Sequence, residues 1–248
     1  MSKAKNSPGI EEAPTASIVI PCYNEELLLE EAIREMIGKL EAVDWSYEII
    51  IAENGSSDRT LEIAHELAEE FPQVHAMKSP APDYGLALRL GIKQARGTYV
   101  LCDEIDICDV DFQQRAMNIL QPDEADMVVG SKLHKDAQDD RPMSRHAATV
   151  IINMMLRVSL GFKGTDTHGL KAFHREKLLA VVDQCIVNKD LFASELVIRA
   201  ERGDYRVTEI PVCIIEKRKP SINLVRRVPN VLKNLARLVV AIRFNKEV

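Results

Sequence analysis

No apolar run among the 248 residues approaches the roughly eighteen that a membrane-spanning helix requires. If the chain works on lipids, it is expected to do so from outside the bilayer. The first sixteen residues, MSKAKNSPGIEEAPTA, lack the apolar centre of a signal peptide and read as a flexible polar tail. Cysteine is scarce and unpatterned: Cys22, Cys102, Cys108, Cys185 and Cys213 are odd in number and contain no C-x-x-C spacing. Cys102 and Cys213 fall in apolar, strand-like runs, so buried free thiols in a reducing cytoplasm are expected. There is no excess of positive charge. A net charge of −6 gives no reason to expect nucleic acid as a partner. Repeats and low-complexity tracts are also missing.

What remains is an ordinary globular composition, 46% apolar and 28% charged, of a length suited to one α/β domain with appended helices. From residue 17 short apolar runs alternate with amphipathic stretches. SIVIP (17–21), YEIIIA (47–52), VHAMK (74–78) and TYVLC (98–102) read as strands. Asn24 is placed to cap a helix burying Leu29, Ile33, Met36, Ile37 and Leu40. Ser57 or Asp58 caps a second, and 85–96 reads as a third. Strands separated by helices of this length imply right-handed crossovers, hence a mostly parallel sheet covered on both faces. Ligands of such sheets lie beyond the carboxyl ends of the strands. PCYNE, ENGSSD and DEID occupy three of those ends.

Further on, 126–132 reads as a strand, and 144–160 as a helix with Ile151, Met154, Met155 and Val158 inward. GFKGTDTHGLKAF is turn-rich and returns as a short strand, a helix lies near 190–202, and a strand lies near 206–215. The acidic strand end carries the most chemistry. Asp103, Glu104 and Asp106 repel one another in a partly desolvated cleft, and a hard divalent cation with oxygen ligands removes that cost. The bland reading is that Asp106, Asp109 and Asp111 merely open the next helix.

PCYNE, EIIIAENGSSDRT, GLALRLGIKQARGTYV and the acidic strand end together resemble a family 2 glycosyltransferase with the GT-A fold. GSK, TDTHGLKAF, SELVIRAERGDYRVTEIPV and EKRKPS are most similar to the dolichol- and polyprenyl-phosphate sugar transferases. The resemblance implies a nucleotide-sugar donor (GDP-mannose or UDP-glucose type) held near Pro21, Tyr23, Asn24, Glu25, Glu53 and Asn54. Glu53 and Asn54 stand where the family has two aspartates. Counting from Gly97, Glu104 and Asp106 fall on the family's metal-binding Asp-x-Asp. The resemblance therefore assigns Mg²⁺ or Mn²⁺ to Asp106, with Glu104 on the ion through water or on the ribose, while a continuing strand pleat turns Asp103 to the opposite side, where it stabilises the turn.

The implied reaction is an inverting hexosyl transfer with an oxocarbenium-like transition state. A polyprenyl or dolichyl phosphate acceptor is already anionic and needs no strong general base, only cations. The candidates are Lys132, Arg145, Lys171 and Arg218, with Lys132 standing where the family has arginine. His168 serves as a proton acceptor if the acceptor is a hydroxyl. Glu195 either orients the acceptor loop or pairs with Arg199 on an exposed helix face. Two other readings stay open, a saccharide or other hydroxyl acceptor and a catalytically silent nucleotide-sugar-binding protein.

From Lys217 onward nine basic residues face a single acid, Glu247. Leu232, Leu235, Val239 and Ile242 form a stripe on a basic helix that either lies on an anionic membrane surface or packs on the domain. The expected organisation is a tail over 1–16, a catalytic domain over 17–221 and this helix over 222–248, in a cytoplasmic protein peripheral to the membrane.

Overall fold

The computed structural model describes residues 12–140, 142–188, 191–214 and 224–244, with side chains of the last stretch described from 229 to 243. Strands and helices alternate through the first half: β1 (Ala16–Cys22), α1 (Leu29–Leu40), β2 (Tyr47–Glu53), α2 (Thr60–Glu70), β3 (Val74–Lys78), α3 (Tyr84–Gln94), β4 (Tyr99–Cys102), α4 (Val110–Leu120) and β5 (Met127–Ser131). The second half adds β6 (Gln138–Asp139), α5 (Met143–Leu160), β7 (Lys171–His174), α6 (Arg175–Gln184), α7 (Phe192–Arg202), β8 (Val207–Pro211), β9 (Cys213–Ile214) and α8 (Leu224–Phe244).

Seven strands form one sheet in the order β3-β2-β1-β4-β7-β5-β8. β7 runs antiparallel to β4 and β5, and the other pairs are parallel. The alternation of side chains along each strand divides the core. Ile18, Ile20, Ile49 and Ile51 face α1, α2 and α4, while Val19, Ile50, Ala52 and Val100 face α3, α6 and α7. Both faces are therefore covered, and the strands bring PCYNE, ENGSSD and DEID to one edge, as a doubly covered parallel sheet requires.

Several local expectations are corrected. Asn24 does not cap α1, whose first turn has no side-chain cap. It takes a left-handed φ of 53°, and its Oδ1 accepts from Ser57 N at 2.9 Å, tying the loop after β1 to the loop after β2. β1 starts at Ala16 and Pro14 is buried, so the fold begins inside the expected tail. Cys213 is exposed because the strand pleat turns Val212 and Ile214 inward instead. α6 was not expected, although Leu178, Val181 and Val182 stand at helical spacing and are buried.

α5 buries Asn153, Leu156 and Leu160, whereas Ile151 (53% exposed), Met154 and Val158 face outward. The apolar stripe expected of the carboxyl-terminal helix is largely used within the fold. Leu238 and Ala241 are buried in the second core, with Leu235, Val239 and Ile242 packed against it, while Leu232 is exposed. None of the described helices is long and apolar enough to cross a membrane.

Candidate functional site

The first wall stands at the ends of β1 and β2. Pro21 is buried in the strand, Tyr23 is half-exposed just beyond it, and Glu25 is buried with its N–H on Thr60 Oγ1 at 2.7 Å. Cys22 pairs across the sheet with Glu53. Its thiol is pushed up first by burial and then by the charges of Glu25 and Glu53, so it is no nucleophile. Glu53 is 1% exposed, and its Oε1 accepts a short hydrogen bond from Ser56 N. Its Oε2 is buried with no hydrogen-bond partner. A lone buried acceptor is costly unless a ligand donates to it. Asn54 differs from the expectation, because its Oδ1 accepts from Asp83 N at 2.6 Å and is used inside the protein. The following Gly55 adopts a φ of +74°, which the tight turn needs.

The second wall is the acidic end of β4. Asp103 is turned inward: Oδ1 accepts from Glu104 N and Oδ2 from Gln113 Nε2, both at 2.7 Å. Burial pushes its pKa up to about 7. Glu104 and Asp106 are half-buried, and neither carboxylate makes a hydrogen bond or ion pair with the described residues. Burial raises the pKa of Glu104, as do the charges of Asp106 and Asp166, while Lys132 and Lys171 oppose the rise. Tyr84, at the start of α3, belongs to the same cluster. Although the residue is 43% exposed, desolvation and then the charge of Glu104 push its phenol well above the ordinary value.

The third wall is the 165–169 loop, which folds over the end of β5. A Cβ on Gly169 would stand 1.7 Å from Gly130 O, so only glycine permits this approach. Asp166 is fully buried, with Oδ1 accepting from His168 N and Oδ2 from Lys132 N. Burial opposes its charge, but Lys132 and the His168 N–H hold its pKa below the usual carboxylate range. Thr167 Oγ1 meets Ser194 Oγ at 2.8 Å and His168 Nδ1 at 3.1 Å, fixing the imidazole. The ammonium groups of Lys132 and Lys171 donate to His168 O and Gly169 O.

Lys171 is 2% exposed, and burial lowers its pKa to about 8. It lies beneath the loop and not on an acceptor surface, which corrects that expectation. Glu195 pairs with Arg199 as one of its two readings expected, but on a buried and not an exposed helix face. It is completely buried, with Oε1 on Arg199 Nε at 2.8 Å and Oε2 accepting from Ile186 N and Val187 N. It positions the 186–188 loop. Arg145 is half-buried in the first turn of α5, and Arg218 lies outside the described residues.

The sequence reading missed the Thr167–Ser194 pair and Glu209, which accepts from Thr165 N, Thr165 Oγ1 and Asp166 N. No local pattern marks them, since they come from distant parts of the chain.

Among the described residues no three His, Cys, Asp or Glu side chains are arranged to hold a metal ion by themselves. Glu104 and Asp106 nevertheless fit Mg²⁺ or Mn²⁺. Such an ion takes one or two carboxylates and completes its shell with water and phosphate oxygens, and these two carboxylates have no partner among the described residues.

A sheet of this topology, with an acidic cluster at the end of a central strand, is that of the GT-A glycosyltransferases. Solved structures agree. Glucosyl-3-phosphoglycerate synthase from Mycobacterium tuberculosis, in complex with Mn²⁺, UDP and glucosyl-3-phosphoglycerate, superposes with a TM-score of 0.66 at 17% identity, covering 94% of this chain and 81% of that one. A second structure of that enzyme, with Mg²⁺ and UDP, gives the same TM-score.

Residues 17–182 match the glycosyl transferase family 2 model, and the chain belongs to that family. It is 32% identical over 216 residues to glycosyltransferase AglD of Haloferax volcanii, covering 85% of this chain and 34% of AglD. It is 28% identical to human dolichyl-phosphate beta-glucosyltransferase, covering 83% of this chain and 69% of that enzyme. The chain spans about a third of AglD and 48% of the Haloferax volcanii hexosyltransferase Agl6.

Proposed function

We propose that this chain transfers a hexose from a uridine-diphosphate sugar to polyprenyl phosphate with inversion, aided by a divalent cation. The observation that carries the reading is the pair Glu104 and Asp106 just beyond β4, whose carboxylates have no hydrogen-bond or ion-pair partner among the described residues, with Glu104 in the field of Lys132. When bound there, Mg²⁺ or Mn²⁺ acts as a Lewis acid toward the departing diphosphate. The names of the dolichyl-phosphate glucosyltransferase relatives and the UDP in the structural neighbours support the choice of acceptor and donor.

The protein's own contribution is placement. Glu53 Oε2 accepts the N–H of the uracil ring, and Tyr23 stands beside it with a half-exposed ring. Lys132, held by the 165–169 loop, supplies positive charge where two anions meet. A phosphate acceptor is already ionised, so no group has to remove a proton before attack. In this reading residues 17–221 are the catalytic domain, and the protein works at the surface of an anionic membrane.

A hydroxyl acceptor is the second reading. It is favoured by His168, whose ring Thr167 holds at Nδ1. Incubation with radiolabelled UDP-hexose, Mn²⁺ and either polyprenyl phosphate or an oligosaccharide separates the two. Butanol-extractable label formed only with the lipid is the expected result, and label found only on the oligosaccharide refutes it.

A further inference from the structure

Beside the amino-terminal end of α3 lies a cavity of about 770 Å³ that none of the residues assigned above lines, Asp83 excepted. One wall is the outer face of α8, where Lys233, Ala236, Arg237 and Val240 follow at helical spacing. Opposite stand Ile186, Val187 and Asn188, the loop that Glu195 holds through two backbone N–H groups. Asp83 closes the end nearest the sheet. The Asp83 N–H donates to Asn54 Oδ1, and its neighbour Tyr84 lies in the field of Glu104 and Asp106. The cavity therefore adjoins the place where transfer is proposed to occur.

Its lining joins two chemistries. Lys233 and Arg237 are one turn apart, and neither makes an ion pair or hydrogen bond with the described residues. The single acid, Asp83, has Oδ1 engaged as the cap of α3, accepting from Leu86 N at 3.1 Å. Ile186 (56% exposed) and Val240 (53% exposed) leave large apolar surface on facing rims, with Val187, Ala236 and Ala241 between them. Asn188 Oδ1 is buried with no partner. Turned either way, that amide offers one bond, with Oδ1 accepting from a P–OH or Nδ2 donating to a phosphate oxygen. A soluble sugar has no use for the apolar rims, and a neutral lipid has none for the two cations.

We infer that this cavity binds the phosphate end of an isoprenoid monophosphate, with Lys233 and Arg237 on the phosphate and Ile186 and Val240 on the first isoprene units. The inference rests on the lipid-phosphate reading of the function and gives it a place in the fold. A volume of this size is within the roughly 300–1,000 Å³ usual for small-molecule sites.

The test measures binding to the full chain without a sugar donor, so that it is independent of turnover. Farnesyl phosphate, farnesol and inorganic phosphate are titrated by calorimetry against the wild type, the double variant K233Q/R237Q and a filled-cavity variant, Ala236→Trp. Farnesyl phosphate is expected to bind the wild type and to lose about tenfold or more in affinity in each variant, with melting temperatures unchanged, because two charge-assisted contacts or the space itself are removed. Unchanged affinity in K233Q/R237Q overturns the site. Inorganic phosphate binding the wild type as tightly as farnesyl phosphate overturns the lipid assignment. Cavity binding in a protein that transfers no sugar to any lipid phosphate sinks the proposed function and leaves the cavity. Lipid transfer that persists with an unaltered acceptor KM in both variants sinks the cavity and leaves the function.

Discussion

Replacing Glu53 by glutamine tests the donor site through one atom. The wild-type carboxylate presents two acceptors, Oε1 to Ser56 N and a buried Oε2 with no partner inside the protein. Glutamine keeps one oxygen, which stays on Ser56 because that backbone N–H has to be satisfied. The amide NH₂ then falls where Oε2 stood. An acceptor has become a donor, and a uracil N–H that met an anion now meets another N–H. A hydrogen bond to a charged group contributes about 1.5–3 kcal/mol, so the expected loss is roughly tenfold to a hundredfold in UDP affinity.

Cytosine offers an acceptor at the same ring position, so CDP should lose little or gain. The ratio of UDP to CDP affinity, measured by calorimetry with Mn²⁺ present, is therefore more telling than either value alone. Folding is not expected to suffer, since a buried carboxylate with one unpaired oxygen is exchanged for a neutral amide, which costs less to bury. An E53Q protein with wild-type melting behaviour and an unchanged UDP-to-CDP ratio would refute the placement of the base against Glu53.

Asp106→Asn removes one of the two unpartnered carboxylates. It should lower turnover at least about a hundredfold and abolish the Mn²⁺-dependent rise in melting temperature given by UDP, whereas an unaltered thermal shift would remove Asp106 from the metal site. Asp126 lies far from that chemistry. Arg206, with Lys177, outweighs burial and holds its carboxyl well below the usual range. A folded-state pKa depressed in this way adds stability above the unfolded value of about 4 and loses it as pH falls. The stability gap between wild type and Asp126→Asn, from urea unfolding, should therefore close on acidification below about pH 4, and a gap constant with pH would contradict it. Glu195→Ala leaves Arg199, 13% exposed at its side chain, and two loop N–H groups without an acceptor. The expected cost is roughly 3–5 kcal/mol in urea unfolding, and a loss below about 1 kcal/mol would show that the loop has other supports.

The layered sheet was legible because strand and helix periods differ, and residues 17–120 keep both cleanly. Each apolar run found its strand within a residue or two, and the three polar motifs arrived at one edge. Pairings between loops were not legible. Asn24 has the composition of a helix cap, yet Ser57 N, thirty-three residues away, takes its oxygen. Asp166 and Glu209 act through backbone N–H groups that any residue supplies, so sequence carries no mark of the partnership.

α5 shows the same limit in apolar terms. Ile151, Met154 and Val158 line one side of the helix, and Asn153, Leu156 and Leu160 line another. Periodicity favours the side with more methyl groups. The fold instead buries the side whose Asn153 reaches Thr167, with 3.3 Å between Oδ1 and the hydroxyl, because that residue holds the loop over the site. Burying one amide that supports a functional loop outweighs burying a longer apolar stripe only if the stripe's exposure is tolerated. Changing Ile151 and Met154 to serine should accordingly cost less than about 0.5 kcal/mol each, whereas Leu156→Ala should cost 2 kcal/mol or more on the scale of about 2–5 for buried leucines. The reverse order in urea unfolding would mean that α5 presents its other face to the core.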